Sequence, residues 1–260
     1  MRAGRCRSAS DERATGLSVR PLLLALLTSA LLFVGAYTLA AWPQSQLYGR
    51  VVSHGPGDAR LVALTFDDGP NDPATSRLLD VLAAKDVKAT FFVVGENVEV
   101  YPDTARRIVA EGHALGNHSY RHRKRDALLD PGYGELERAQ RAIAAVVGFR
   151  PALYRAPNGF HTPWQLRAVR RAGLVTVHWN VQTKDWERPD PDTIVRRVLE
   201  HVRPGAIVLL HDGDDTRHGS DRAPTVEALP QIIDALRARG YRFVTVPELL
   251  GVPDRLPAPR

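Results

Sequence analysis

Leu61-Val62-Ala63-Leu64-Thr65-Phe66-Asp67-Asp68-Gly69-Pro70-Asn71 joins an apolar run to two adjacent carboxylates and a turn. Successive residues of a strand face opposite sides, so Asp67 and Asp68 reach one site only where the chain leaves strand geometry. Gly69 and Pro70 supply that departure. Two acids at the C-terminal end of a buried strand are costly to desolvate without a metal or another partner. The alternative is a capping turn. The rest of the chain decides between the two.

Outward from this stretch, short apolar runs alternate with amphipathic patterns. The sequence predicts strands near 61–66, 89–94, 114–116, 152–155, 174–179, 206–210 and 243–246, and helices near 74–86, 101–111, 132–147, 162–172, 190–202 and 224–239. In the first helix Leu78, Leu79, Val81 and Leu82 share one side. Asp190 and Asp192 bracket Pro191 as a start signal, and Gly112, Gly173 and Gly240 stand where helices should stop. Repeated strand–helix alternation means a parallel α/β sheet, open or closed. No glycine-rich dinucleotide fingerprint or phosphate loop follows any of these strands. The suspicious polar residues all fall at C-terminal strand ends, where a closed barrel places its chemistry.

Residues 21–42 are an uncharged, mostly apolar run. As a helix they span about 33 Å, enough for the hydrocarbon core of a bilayer. Five arginines against two acids in residues 1–20 predict a cytoplasmic N-terminus and export of everything after the run. The competing cleaved signal peptide would end in an A-x-A-like site, of which Thr38-Leu39-Ala40 is a poor version, so an uncleaved anchor is favoured. The resulting organisation is a tail (1–20), a membrane anchor (21–42), a linker (43–60), a catalytic domain (61–250) and a C-terminal tail (251–260). The chain's net charge of +6 is half accounted for by that N-terminal tail, which argues against nucleic acid as partner. Cys6 is the single cysteine and precedes the apolar run, so the exported part has no disulfide and no thiolate metal ligand.

His118-Ser119-Tyr120-Arg121-His122 follows the run at 114–116, and two imidazoles four apart can chelate one metal. With a carboxylate from the first strand end they give three protein ligands and open positions, the pattern of a catalytic divalent site. Arg155-Ala156-Pro157-Asn158, Lys184-Asp185-Trp186 and Leu209-Leu210-His211 each follow or end a further strand. Singly each has a plain reading: a surface ion pair, a helix cap, a packed tryptophan, a core histidine. Together and in this order they do not.

The set resembles the polysaccharide deacetylase family, also called carbohydrate esterase family 4 or the NodB homology domain. Its five motifs are matched by Thr65-Phe66-Asp67-Asp68-Gly69, His118-Ser119-x-x-His122, Arg155-x-Pro157, Asp185-Trp186 and Leu209-x-His211, and the likeness covers roughly residues 60–250. The resemblance implies a distorted (β/α) barrel of about seven strands, here preceded by one transmembrane helix. It implies Asp67 as general base and Asp68, His118 and His122 as metal ligands. It further implies Arg155 paired with Asp67, His211 as general acid oriented by Asp185, and Leu209 and Trp186 around the acetyl methyl. Pro157 and Asn158 belong to the substrate groove, the Asn158 N–H serving the oxyanion. The cofactor implied is a divalent metal, zinc first, with cobalt or nickel as alternatives. The implied partner is an N-acetylated glycan, peptidoglycan or a chitin-like polymer, with no nucleic acid and no obligate protein partner.

The chemistry agrees with these residue types. Amide hydrolysis needs an activated water, a stabilised oxyanion and a proton for the leaving amine, so base and acid must be different groups held apart. An arginine beside Asp67 is expected to keep it charged, a weak base. Two positions depart from the family pattern: Asn158 stands where an aromatic is usual, and Gln182 where an acid is. They predict an active enzyme with an altered groove. The other readings are hydrolysis of an O-acetyl ester or another amide on the same site, and a non-catalytic glycan-binding module. The segment 213–222, polar and glycine-flanked, is expected to be a mobile loop beside His211.

Overall fold

A computed structural model describes residues 19–257. Most of the expected cytoplasmic tail lies outside them. The elements run α1 (Val19–Ala41), β1 (Leu61–Asp67), α2 (Ala74–Ala84), β2 (Thr90–Val93), α3 (Gly95–Val100) and α4 (Pro102–Ala110). Next come β3 (Ala114–Asn117), α5 (Lys124–Leu129), α6 (Gly134–Val147), β4 (Leu153–Tyr154), α7 (Pro163–Arg171), β5 (Val175–Thr176) and β6 (Val181–Gln182). The chain ends with α8 (Pro191–His201), β7 (Ala206–His211), α9 (Ala223–Ala238), β8 (Arg242–Phe243) and α10 (Val246–Leu250).

Two compact units divide between Thr38 and Leu39. The first holds most of α1, whose stretch Val19–Ala40 has mean hydropathy 2.2 and an 18-residue window none of which is buried. It is long and apolar enough to cross a membrane, a test that a signal sequence near an N-terminus also passes.

The second unit is built on one parallel sheet with strand order β5-β4-β3-β2-β1-β7-β6, β8 adding to β1. β8 pairs β1 at Leu61 and Val62, β2 pairs it from Thr65 to Asp67, and β7 pairs it from Val62 to Asp67. The two-residue alternation of β1 sorts its side chains between two cores. Val62, Leu64 and Phe66 join a cluster with Leu78, Leu82, Ile194, Leu229 and Ile233, the apolar stripes of the helices. Ala63 instead joins Phe92, Leu153, Val177, Trp179, Ile207 and Leu209. That second cluster draws on strands from across the whole path, so the sheet curls around it as an incomplete barrel. Thr65 and Asp67 continue the inward row of β1, and His211 continues that of β7.

The ends of the path, β5 and β6, do not pair. Residues 51–54 span part of the opening: Val52 bridges Val177 and His54 bridges Ala206. The stretch 174–179 keeps strand pairing only at Val175–Thr176. The last expected strand is cut to two residues, because Thr245 and Glu248 form a capping box that starts α10 at Val246. Strand β6 and helices α3, α5 and α10 were not expected; each is too short to show a period.

Candidate active site

The sheet register alone brings two candidate residues together. Asp67 is the Cα partner of His211, and Thr65 of Leu209, so these inward side chains stand on adjacent strands. Asp68 takes φ 77°, and that single left-handed residue ends the strand. The departure required by the sequence therefore falls on Asp68 itself and turns its carboxylate to the same cavity as Asp67.

Asp68 Oδ1 lies 3.2 Å from His122 Nε2 and 3.6 Å from His118 Nε2. One donor atom from each of the three residues lies within 4.8 Å of the others. The histidines reach this point through a turn after β3 in which Ser119 and His122 have positive φ. Asn117 Oδ1 accepts from Ser119 N at 2.8 Å, and Ser119 Oγ accepts from His122 N at 3.0 Å. His118 Nδ1 sits 2.8 Å from the Arg155 carbonyl, which only accepts, so Nδ1 carries the proton and Nε2 presents a lone pair. Burial, with the neighbouring His122 second, lowers the His118 pKa to about 3 and keeps it neutral. For His122 burial acts in the same sense, but Asp68 and Asp215 outweigh it and the pKa rises.

These residues suit a divalent cation. Asp68 Oδ1 is buried and accepts no hydrogen bond among the described residues, although it points at two imidazole nitrogens. A buried acceptor without a donor is costly, and a cation relieves it. Two nitrogens and one carboxylate oxygen are the donor types of an open catalytic site for zinc and similar metals.

Arg155 is fully buried (0 % exposed) at the end of β4. Its Nη1 donates to Asp67 Oδ1 at 2.7 Å and to Thr65 Oγ1 at 2.8 Å. Nε and Nη2 donate to the carbonyls of Val177 and His178, and the guanidinium lies 3.9 Å from the Phe92 ring centroid. The ion pair holds, but its effect on Asp67 differs from expectation. Burial outweighs Arg155 and His211, so the Asp67 pKa is raised rather than lowered. Sequence spacing shows the arginine but not the depth of burial.

Across the cavity, His211 Nδ1 lies 2.8 Å from Asp185 Oδ1. Asp185 Oδ2 accepts from His211 N at 2.8 Å and from Thr225 Oγ1 at 2.9 Å. Burial works against the charge on both groups. The pair overcomes it: the His211 pKa rises to about 9, and Asp185 falls below its ordinary value. Trp186, 38 % exposed, stands edge-on to the His211 ring at 5.4 Å.

Asp67, Asp68, His118, His122, Asn158, Trp186, Leu209 and His211 line one cavity of about 470 Å³. Arg155 and Asp185 lie behind it. Pro157 is buried and does not line it, whereas Asn158, at φ 56°, is exposed and does. Gln182, Trp179 and Lys124 also contribute to the lining. So do Asp214, Asp215, Arg217 and Arg222 of the 213–222 segment. That segment is tied down at several points: Asn71 Nδ2 donates to Arg217 O, Asn71 Oδ1 accepts from Ser220 N, and Arg222 Nε donates to Gly213 O. The polarity marked it as a loop, but its anchors are backbone carbonyls and amides that leave no sequence signal.

A polysaccharide deacetylase family model matches residues 54–177. A chitooligosaccharide deacetylase of Bradyrhizobium sp. (strain ANU 289) is 45% identical over 199 residues, 73% of this chain and 90% of that protein. A peptidoglycan-N-acetylglucosamine deacetylase of Bacillus cereus is 35% identical over 216 residues, 83% of this chain and 76% of the relative. Among solved structures, the Bc1960 peptidoglycan N-acetylglucosamine deacetylase superposes with TM-score 0.74 at 34% identity, covering 79% of this chain and 95% of its own.

Proposed function

The chain belongs to the polysaccharide deacetylase family, and from that premise we propose that it removes N-acetyl groups from an N-acetylglucosamine polymer outside the membrane, using a divalent metal. The observation that carries this reading is one cavity with a cation-ready triad, a separate arginine-held carboxylate and, opposite, a histidine charged below about pH 9. Asp68, His118 and His122 would hold the cation, zinc first and cobalt or nickel as alternatives. When bound it supplies polarisation of the acetyl carbonyl and a lowered pKa for water.

The chain's own groups divide the remaining work. Asp67, fixed through Oδ1 by Arg155, takes the water's proton on its other oxygen as the hydroxyl adds to the acetyl carbon. The Asn158 main-chain N–H steadies the oxyanion. His211 gives its Nε2 proton to the nitrogen as the C–N bond breaks, Asp185 holding Nδ1. Acetate and a free amine leave. Leu209 and Trp186 flank the acetyl methyl, and Pro157 fixes the turn that presents Asn158.

Peptidoglycan is the first candidate and a chitin-like oligomer the second. Lys124 is exposed at the cavity with no acidic partner among the described residues, which suits a glycan that carries carboxylates. α1 would anchor the protein with the catalytic unit outside. The test measures acetate release from peptidoglycan and N-acetylglucosamine oligomers by the full chain recovered in carbonate-washed membranes. Release that stops with chelator is expected. Chelator-resistant release would contradict the metal, recovery only in the soluble fraction the anchor, and release of O-acetyl groups alone the amide substrate.

A further inference from the structure

His118 and His122 both turn Nε2 toward Asp68, but their other nitrogens meet different partners. His118 Nδ1 meets the neutral carbonyl of Arg155, and His122 Nδ1 lies 2.5 Å from Asp215 Oδ1. A carboxylate on the far nitrogen of a ligating histidine fixes its tautomer and ring angle and strengthens it as a donor. Resting on the metal reading above, we propose that Asp215 is a positioning residue for His122, a carboxylate behind a metal-binding imidazole, and that Asn97 holds it in register with Asp68.

Asn97 is fully buried, and the two protons of its Nδ2 go to two carbonyls: Asp68 O at 2.7 Å and Asp215 O at 2.8 Å. One amide thus ties the backbone of a metal ligand to that of the residue behind another ligand. Gly213 closes the same joint, because a Cβ there would lie 2.2 Å from Asp68 O. Asp215 itself sits at φ 53°. Its side chain is 58 % exposed, so as a bare ion pair it would contribute little. Its effect therefore runs through the orientation and basicity of His122.

The experiment measures Zn²⁺ affinity of the metal-stripped full chain by competition with a chromogenic chelator, and the visible spectrum of the Co²⁺ form. Asp215→Ala should bind about 10–100-fold more weakly and shift the Co²⁺ bands. Asp215→Asn, which keeps an acceptor but no charge, should lose an intermediate amount. Asp221→Ala, on the same segment but paired only at the surface with Arg77, should bind as wild type does. Wild-type affinity with an unchanged spectrum in Asp215→Ala would overturn the proposal, as would an equal loss in Asp221→Ala. Should Asp215→Ala fail to fold, Asp215→Asn decides: wild-type affinity there also overturns it. A wild-type chain that binds neither ion would overturn the metal reading itself, a separate failure.

Discussion

Asp67 and Asp68 differ by one position and one torsion, and that torsion separates their surroundings. Asp67 ends the inward row of β1 against Arg155, while Asp68 has turned at φ 77° to face two imidazoles. The titratable motif residues stood out in sequence because each ends or follows a strand. Their protonation was less legible: Asp67 is raised by burial that spacing cannot show. His211 and Asp185 give the sharper test. A histidine raised to about 9 stays charged below that value and loses its proton as pH rises through it. As the proposed base Asp67 must be ionised, so activity should fall off on the acid side above the ordinary carboxylate value and on the alkaline side near pH 9. Asp185→Asn removes the largest of the charges that sustain His211, with burial still depressing it. The alkaline limb of the pH–kcat/KM profile should then move down from about 9. An alkaline limb that stays in place would assign it to another group.

At the scale of elements, the site is a product of register and of loops packed against strand ends. The long strands β1 and β7 were legible from their apolar runs, and Asp67 opposite His211 follows from their pairing. The two-residue strands β4, β5, β6 and β8 were only partly legible, since two residues carry no period and their pairing is set by neighbours. The segment after β7 was read as mobile, yet buried Asn71, Asn97 and Arg222 fix its backbone. Gly213 is where segment and strand end touch. Gly213→Ala should lower stability by about 1–3 kcal/mol, the usual cost of overpacking, and Tm by roughly 2–12 °C for a domain of this size. Thermal unfolding checks it. An unchanged Tm would mean that the joint yields freely.

Over the whole molecule, alternating strands and helices were enough to predict a parallel α/β sheet, the polar strand ends and the family resemblance pointed to a barrel, and the inner cluster around Phe92 and Trp179 shows the curl. The incomplete closure was not legible from the strands themselves, because residues 51–54, which read as linker, bridge across part of the opening. The curl has one functional consequence: it carries Asp67, the Asp68–His118–His122 triad and His211 into one cavity although they span residues 67 to 211. The central claim is that the two adjacent carboxylates at its centre do different jobs. The most direct test measures bound metal and acetate release on the same preparations of Asp67→Asn and Asp68→Ala. Asp67→Asn should retain metal at the wild-type ratio and lose turnover by at least about 100-fold, the low end of what a positioned base contributes. Asp68→Ala should lose both. Metal lost from Asp67→Asn, or retained by Asp68→Ala, would contradict the assignment.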